Sequence, residues 1–202
     1  MENMKIFWFD VETSGLDPKT NAILTLDYAV EIYGEIVEEG QILNRPDGKV
    51  VEDGALKINN LTREQIATFK APAENYITLT DLFGKYVDKY DSDDKFYAGG
   101  YNVKFDMDFL RQFFQDAGDK YFGSWFYFSN IDPSSFFAFM RQNGMIPGFP
   151  AKQRLQDVAG YFGLIDEKTV LHNSTTDIRI TRELYGRVSN VIRDHFAAAR
   201  KG

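Results

Sequence analysis

The sequence predicts an α/β domain in which a mixed β-sheet is flanked by helices. Segments rich in strand-forming residues come first, and further along the chain apolar runs typical of strands alternate with helical patterns. An apolar fraction of 44% and an aromatic fraction of 15% allow a chain of 202 residues to bury a sizeable core. The length predicts one domain, spanning residues 1–202.

The predicted strands are short apolar runs. Residues 4–10 predict a buried strand, and residues 23–43 predict two strands joined as a hairpin, with breaks near Gly34 and Gly40. A further apolar run over residues 95–102 predicts a strand that ends at Asn102.

The predicted helices are marked by capping signals and by apolar residues at helical spacing. Thr62 followed by Gln65 fits a capping box, and Asp132 before Pro133 is typical of an N-cap and a first helical residue. Apolar spacing predicts further helices over residues 73–91, 104–116 and 154–163, and a long last helix that runs to the basic C-terminal end.

Charge and composition exclude several classes of function. The net charge of -7 argues against a protein that coats nucleic acid through many phosphate contacts, so a nucleic-acid site would be local. Without cysteine there are no disulfides, thiolate metal sites or cysteine nucleophiles. No apolar run has the length of a membrane span and the N-terminus lacks a signal-peptide pattern, which predicts a soluble, cytoplasmic protein without membrane contact.

Acidic residues follow two of the predicted strands. Asp10 and Glu12 are two apart, so in a strand they share one face and repel each other unless a cation lies between them. The alternative is an exposed turn after the strand. Asp106 stands near the start of a helix that follows a strand, where α/β sheets gather ligands. Here the alternative is a favourable first-turn charge, and Asp108 is a competing candidate.

A histidine and another acid precede and open the last helix. His172 and Asp177 are five apart, about 500° around a helix, so they would not share a face of one continuous helix. We therefore expect His172 on the loop before the helix. The alternative is a capping box in which Asp177 only partners Ser174.

The order of these residues resembles a known family. The segments FDVETSGLD, NVKFDMDFL and HNSTTD resemble the three motifs of the DEDDh, or DnaQ-like, 3′→5′ exonuclease superfamily, which has a ribonuclease H-like fold. The segments ALKINNLTREQI and NIDP resemble landmarks between those motifs, so that the resemblance extends from residue 5 to about residue 186. The chain departs from the family pattern at four places. Ser14 replaces a threonine, Asp27 stands where glutamate often follows the start of the second strand, Asn59 and Asn60 stand where a glycine is common, and Ile178 replaces an alanine.

The resemblance implies a site, its cofactors and its ligands. Four carboxylates would bind two divalent cations, Mg²⁺ or Mn²⁺, with His172 as general base. These carboxylates are Asp10, Glu12, Asp106 and Asp177. The implied contacts to the terminal nucleotide are Thr13, Ser14, Gly15, Leu16, Ile58 and Asn102.

The implied function is a 3′→5′ exonuclease that releases nucleoside 5′-monophosphates from single-stranded DNA or RNA 3′ ends. One alternative is a catalytically idle relative whose groove binds single strands or a protein partner. Another is a structural cation site in a protein unrelated to nucleic acids. The sequence does not decide whether the preferred substrate is DNA or RNA. It also leaves open whether the protein forms a homodimer or associates with a polymerase.

Overall fold

The computed structural model describes residues 4–166 and 174–199. Strands come first in this part of the chain and then alternate with helices, as predicted. The strands are β1 (Lys5–Thr13), β2 (Ile23–Ile32), β3 (Glu35–Leu43) and β4 (Tyr97–Gly99). The helices are α1 (Asp53–Ile58), α2 (Arg63–Ala67), α3 (Pro72–Tyr86), α4 (Lys104–Asp116), α5 (Pro133–Gln142), α6 (Leu155–Tyr161) and α7 (Ser174–Ala199), and a 3-10 turn lies at Phe122–Ser124.

The strands form one mixed sheet in the order β3, β2, β1, β4. β1 pairs antiparallel with β2 and parallel with β4, and β2 pairs antiparallel with β3. β1 is therefore an inner strand with neighbours on both sides. Because helices also cover both faces of an inner strand in such a fold, its apolar run is continuous until the first acid.

Helices cover both faces of the sheet. On one face, Phe7 packs against α3, where its ring centroid lies 5.0 Å from that of Phe83. On the other face, Trp8 packs against α7, with 5.6 Å between its ring centroid and that of Tyr185. Successive residues of β1 thus serve opposite layers, which confirms the predicted three-layer α/β architecture.

Two polar ties establish the direction of α7 across the sheet. The hydroxyl of Thr175 donates to Asp27 Oδ1 at 3.0 Å, and Arg182 Nη2 donates to Glu31 Oε2 at 3.0 Å. Residue numbers rise together along the helix and along β2, so α7 runs in the direction of β2 and opposite to β1. Its first turn therefore lies over the end of β1 that carries Asp10 and Glu12.

The capping predictions are confirmed. Thr62 and Gln65 form the capping box that opens α2. Asp132 caps α5 by accepting the Ser134 N–H at 2.9 Å, and Pro133 is the first helical residue. These signals are local, so a short stretch of sequence is enough to predict them.

Several boundaries differ from the prediction: β1 extends beyond residue 10 to Thr13, and α6 ends at Tyr161 rather than at residue 163. Gly40 does not break a strand, because it lies within β3 opposite Tyr28, whose hydroxyl occupies the space a side chain would need. β4 is shorter than the predicted residues 95–102, because the chain leaves the sheet and turns through Asn102, which has a φ of 59°. α3 ends at Tyr86 rather than near residue 91, since Val87 adopts an extended conformation.

The described helices include none that is both long enough and apolar enough to cross a membrane.

Candidate active site

Asp10 and Glu12 belong to β1 itself and not to the turn that follows it. The strand continues to Thr13, so both acids point to the sheet face that α7 covers. Both are partly exposed, whereas the apolar residues before them on the same face are buried. Asp10 lies directly across from Asp27 of β2 in the antiparallel register.

Asp106 approaches the same strand from the first turn of α4. It is 5% exposed, and its Oδ1 accepts the backbone N–H of Val11 at 3.0 Å. Because Val11 lies between Asp10 and Glu12, this hydrogen bond places the Asp106 carboxylate beside both. Asp108 is instead exposed and forms an ion pair with Lys104 on the surface of α4.

Asp177 lies in the first turn of α7. It lines one small pocket together with Asp10, Gly100 and Thr181, so that the last helix brings its carboxylate to the end of β1. His172, the predicted general base, lies outside the described residues.

Electrostatic interactions connect the carboxylates of Asp10, Glu12, Asp106 and Asp177, which we call the acid cluster. Burial raises the pKa of Asp10 well above its usual range, and Asp106, Glu12 and Asp177 raise it further in that order, followed by Asp27. Burial, followed by Asp177 and Asp27, raises the pKa of Glu12 to about 7. Burial also raises the pKa of Asp106 to about 7, against the opposing effect of the Val11 N–H. Like charges are therefore crowded together at the end of β1.

The donor set is of the type that holds a hard divalent cation. Among residues 4–166 and 174–199, no three acidic or histidine side chains are close enough together to hold a metal ion as they stand. The chemistry of the cluster fits such an ion, since all four groups offer carboxylate oxygens. Within the same ranges no lysine or arginine forms an ion pair with Asp10, Glu12 or Asp106, and a cation would offset their mutual repulsion.

Hydrogen bonds between buried side chains and the backbone hold the loop after β1 in place. Ser14 is fully buried, and its hydroxyl donates to the Val50 carbonyl at 2.6 Å and accepts the Ala22 N–H at 2.8 Å. The Ser14 side chain is thus engaged within the protein, as is the Thr13 hydroxyl, which donates to the Gly15 carbonyl at 2.6 Å.

Two exposed apolar side chains flank this end of the sheet. Leu16 is 81% exposed and Ile58, at the end of α1, is 67% exposed. Asn59 ties α1 to β1, because its Nδ2 donates to the Thr13 carbonyl at 2.9 Å. Of the remaining predicted contact residues, Gly15 is buried in the loop and Asn102 is exposed at the turn after β4.

The turn at Asn102 is held next to the acid cluster by a shared acceptor. The Asn102 N–H donates to Asp132 Oδ1 at 3.0 Å, and the same carboxylate oxygen caps α5. This contact supports the left-handed conformation of Asn102 just before the first turn of α4, which carries Asp106.

Sequence reasoning missed the structural importance of Asp27. This residue is 4% exposed and lies on the same face as the acid cluster, where it accepts hydrogen bonds from Gln41 and Thr175. The signal that could have found it is an acid in the middle of the apolar run that forms β2, since a buried carboxylate needs hydrogen-bond donors.

The fold is ribonuclease H-like, a class in which a mixed sheet is flanked by helices. Among solved structures, E. coli exonuclease I in complex with a dT13 oligonucleotide matches with a TM-score of 0.77 and 18% identity. The match covers 96% of this chain and 43% of that chain. The zinc-bound form of the E. coli ExoI–ssDNA complex matches with a TM-score of 0.72 and 18% identity, over 89% of this chain and 39% of the other.

An ExoI/SSB-Ct complex also matches, with a TM-score of 0.69 and 17% identity over 94% of this chain and 44% of the other. The chain therefore spans less than half the length of these solved structures. No protein-family model matches the sequence, and no curated protein matches it.

Proposed function

We propose that the chain is a metal-dependent 3′→5′ exonuclease that acts on single-stranded nucleic acid and releases nucleoside 5′-monophosphates. The observation that carries this proposal is the convergence of four carboxylates from β1, α4 and α7 at one end of the sheet. The likeness in fold to exonuclease I, solved with single-stranded oligonucleotides, supports the substrate class. The resemblance to the DEDDh motifs supports the same four residues.

In this proposal the carboxylates hold two divalent cations, Mg²⁺ or Mn²⁺. Bound cations supply activation of the attacking water and stabilisation of the leaving 3′-oxygen. Asp10 and Glu12 present their oxygens from the sheet, and Asp177 presents its carboxylate from α7. The Val11 N–H orients Asp106 toward the same place. His172 would accept the proton of the water as general base, the role that the resemblance implies for it.

The terminal nucleotide would lie against the loop after β1. Leu16 and Ile58 are apolar and exposed on either side of this strand end, so they can pack against the terminal base. Packing on an apolar surface tolerates every base, which suits an enzyme that degrades a strand regardless of its sequence.

The test is a gel assay of 5′-labelled single-stranded DNA and RNA with Mg²⁺, Mn²⁺ or EDTA. We expect a metal-dependent ladder that shortens from the 3′ end, and the preferred strand identifies the substrate. Asp106→Asn should abolish the ladder, whereas the matched variant Asp108→Asn should retain it because Asp108 lies at the surface. Both variants should keep the melting temperature of the unaltered protein within a few degrees.

If both strands stay intact under every metal while the protein still binds them, the idle relative becomes the better interpretation. A ladder of full intensity from the Asp106 variant would contradict the mechanism.

A further inference from the structure

Asp27 is a buried carboxylate beside the candidate active site for which the proposed mechanism has no role. Gln41 Nε2 donates to both of its oxygens, at 3.1 and 3.0 Å, and Thr175 Oγ1 donates to Oδ1 at 3.0 Å. A buried acid costs folding free energy unless its oxygens are hydrogen-bonded. Here neutral donors from β3 and α7 satisfy it, so Asp27 connects two elements to β2.

The hydrogen bond between Thr175 and Asp27 fixes one side of the first turn of α7 to β2. Thr175 and Asp177 lie about 200° apart around a helix, so they point to nearly opposite sides. Thr175 contacts Asp27 on β2, and Asp177 lines a pocket with Asp10 on β1. The hydrogen bond from Thr175 restrains rotation of this turn about the helix axis. It thereby also restrains the position of the Asp177 carboxylate on the other side.

We propose that Asp27 is a positioning residue which, through Thr175, holds the first turn of α7 so that Asp177 is presented to Asp10. Gln41 supports this role, because its amide donates to both oxygens of Asp27 and so fixes the orientation of the carboxylate. The inference rests on the proposed function only in taking Asp177 as a cation ligand. Residues that orient metal ligands typically contribute about 10- to 100-fold to metal affinity or activity.

A second tie between the same helix and the same strand provides a matched control. Arg182 donates through Nε and Nη2 to Glu31 Oε2, at 3.1 and 3.0 Å, and Trp8 Nε1 donates to the same oxygen at 3.0 Å. Arg182 follows Thr175 by seven residues, about two turns, so it lies on the same side of α7 but away from Asp177. Loss of this tie should weaken the fold without moving the first turn.

The experiment compares Thr175→Val with Thr175→Ser and Arg182→Met. Mn²⁺ affinity is measured by calorimetry without nucleic acid, and kcat and the melting temperature are measured on the same samples. We expect Thr175→Val to weaken Mn²⁺ binding and to lower kcat by about 10-fold each, and to change the melting temperature by only a few degrees. Thr175→Ser keeps the hydroxyl and should behave as the unaltered protein. Arg182→Met should lower the melting temperature and leave Mn²⁺ affinity unchanged.

Asp27→Asn and the double variant with Thr175→Val test whether the two residues act together. If they do, the double variant loses no more Mn²⁺ affinity than the worse single variant. Losses that multiply would overturn the shared role.

The outcomes separate this inference from the proposed function. Weaker Mn²⁺ binding by Thr175→Val in a protein that degrades no nucleic acid would support the positioning role and contradict the exonuclease. An active exonuclease in which Thr175→Val keeps its Mn²⁺ affinity and kcat would overturn the positioning role alone. If the unaltered protein binds no Mn²⁺, the cation site fails and the positioning role fails with it.

Discussion

Gly15 stands where the loop after β1 has no room for a side chain. A methyl group there would begin 2.2 Å from Glu52 Oε1 and 2.3 Å from Asn21 Nδ2. We therefore expect Gly15→Ala to destabilise the protein by about 1 to 3 kcal/mol, a cost typical of overpacking. The measurement is thermal unfolding. Gly123→Ala is the control, since Gly123 lies in the short 3-10 turn and no atom lies within 4 Å of the added methyl group there. Equal melting temperatures for the two variants would contradict the predicted crowding.

Replacement of Leu16 is expected to change substrate affinity rather than stability. Because its side chain is 81% exposed, Leu16→Ala should leave the melting temperature unchanged. The loss of packing against the terminal base should raise KM by about 5-fold or more, as expected for an interaction of about 1 kcal/mol. Ile77→Ala is the control, because Ile77 is also exposed but lies on α3. A raised KM for the control alone would place the substrate elsewhere.

At the scale of single residues, the sequence identifies the candidate acids but not the side chains that surround them. The spacing of Asp10 and Glu12 predicts a shared face, which the strand provides. Spacing does not separate Asp106 from Asp108, because the choice depends on which side of α4 meets the Val11 N–H. The role of Asp27 depends on contacts with Gln41 and Thr175, which are distant in the sequence.

At the scale of elements, β1 and α4 bring together carboxylates that retain protons near neutral pH. The pKa of Glu12 and that of Asp106 are both raised to about 7, mainly by burial. Unfolded carboxyl groups ionise near a pH of about 4, so between about 4 and 7 the folded protein binds more protons than the unfolded chain. Stability should therefore fall as the pH rises through this window when no cation is present.

The measurement for this pH dependence is the melting temperature in EDTA, followed from about pH 5 to about pH 8. In the variant Asp106→Asn the amide that replaces the carboxyl group cannot ionise. The melting temperature of this variant should therefore fall less steeply with rising pH than that of the unaltered protein. A steeper fall in this variant would show that other groups carry the effect.

Elements marked by local signals were predicted well, and those that depend on distant contacts were not. The capping box of α2 and the N-cap of α5 involve residues only a few positions apart. The lengths of β3 and β4 depend on which backbone lies alongside, as when Tyr28 fills the space beside Gly40. The mixed sheet follows from the order of the elements, but its register does not.

At the scale of the whole molecule, the proposed cations couple the site to folding. A ligand that binds only the folded protein stabilises it by about 2.7 kcal/mol at 100 times its Kd. We expect Mg²⁺ to raise the melting temperature of the unaltered protein, and EDTA to reverse the increase. In Asp177→Asn the increase should be reduced, whereas Asp108→Asn should keep it. The same increase in all three proteins would place the cation outside the acid cluster.

The position of α7 in the chain bears on how the protein is synthesised. β1 leaves the ribosome long before the helix that covers Trp8, since β1 ends at Thr13 and α7 begins at Ser174. Until α7 is made, one apolar face of the sheet stays uncovered, and such a face on a nascent chain is a target for chaperones and for aggregation. Docking of α7 covers that face and delivers Asp177 in the same step. A chain still in synthesis therefore has no complete acid cluster.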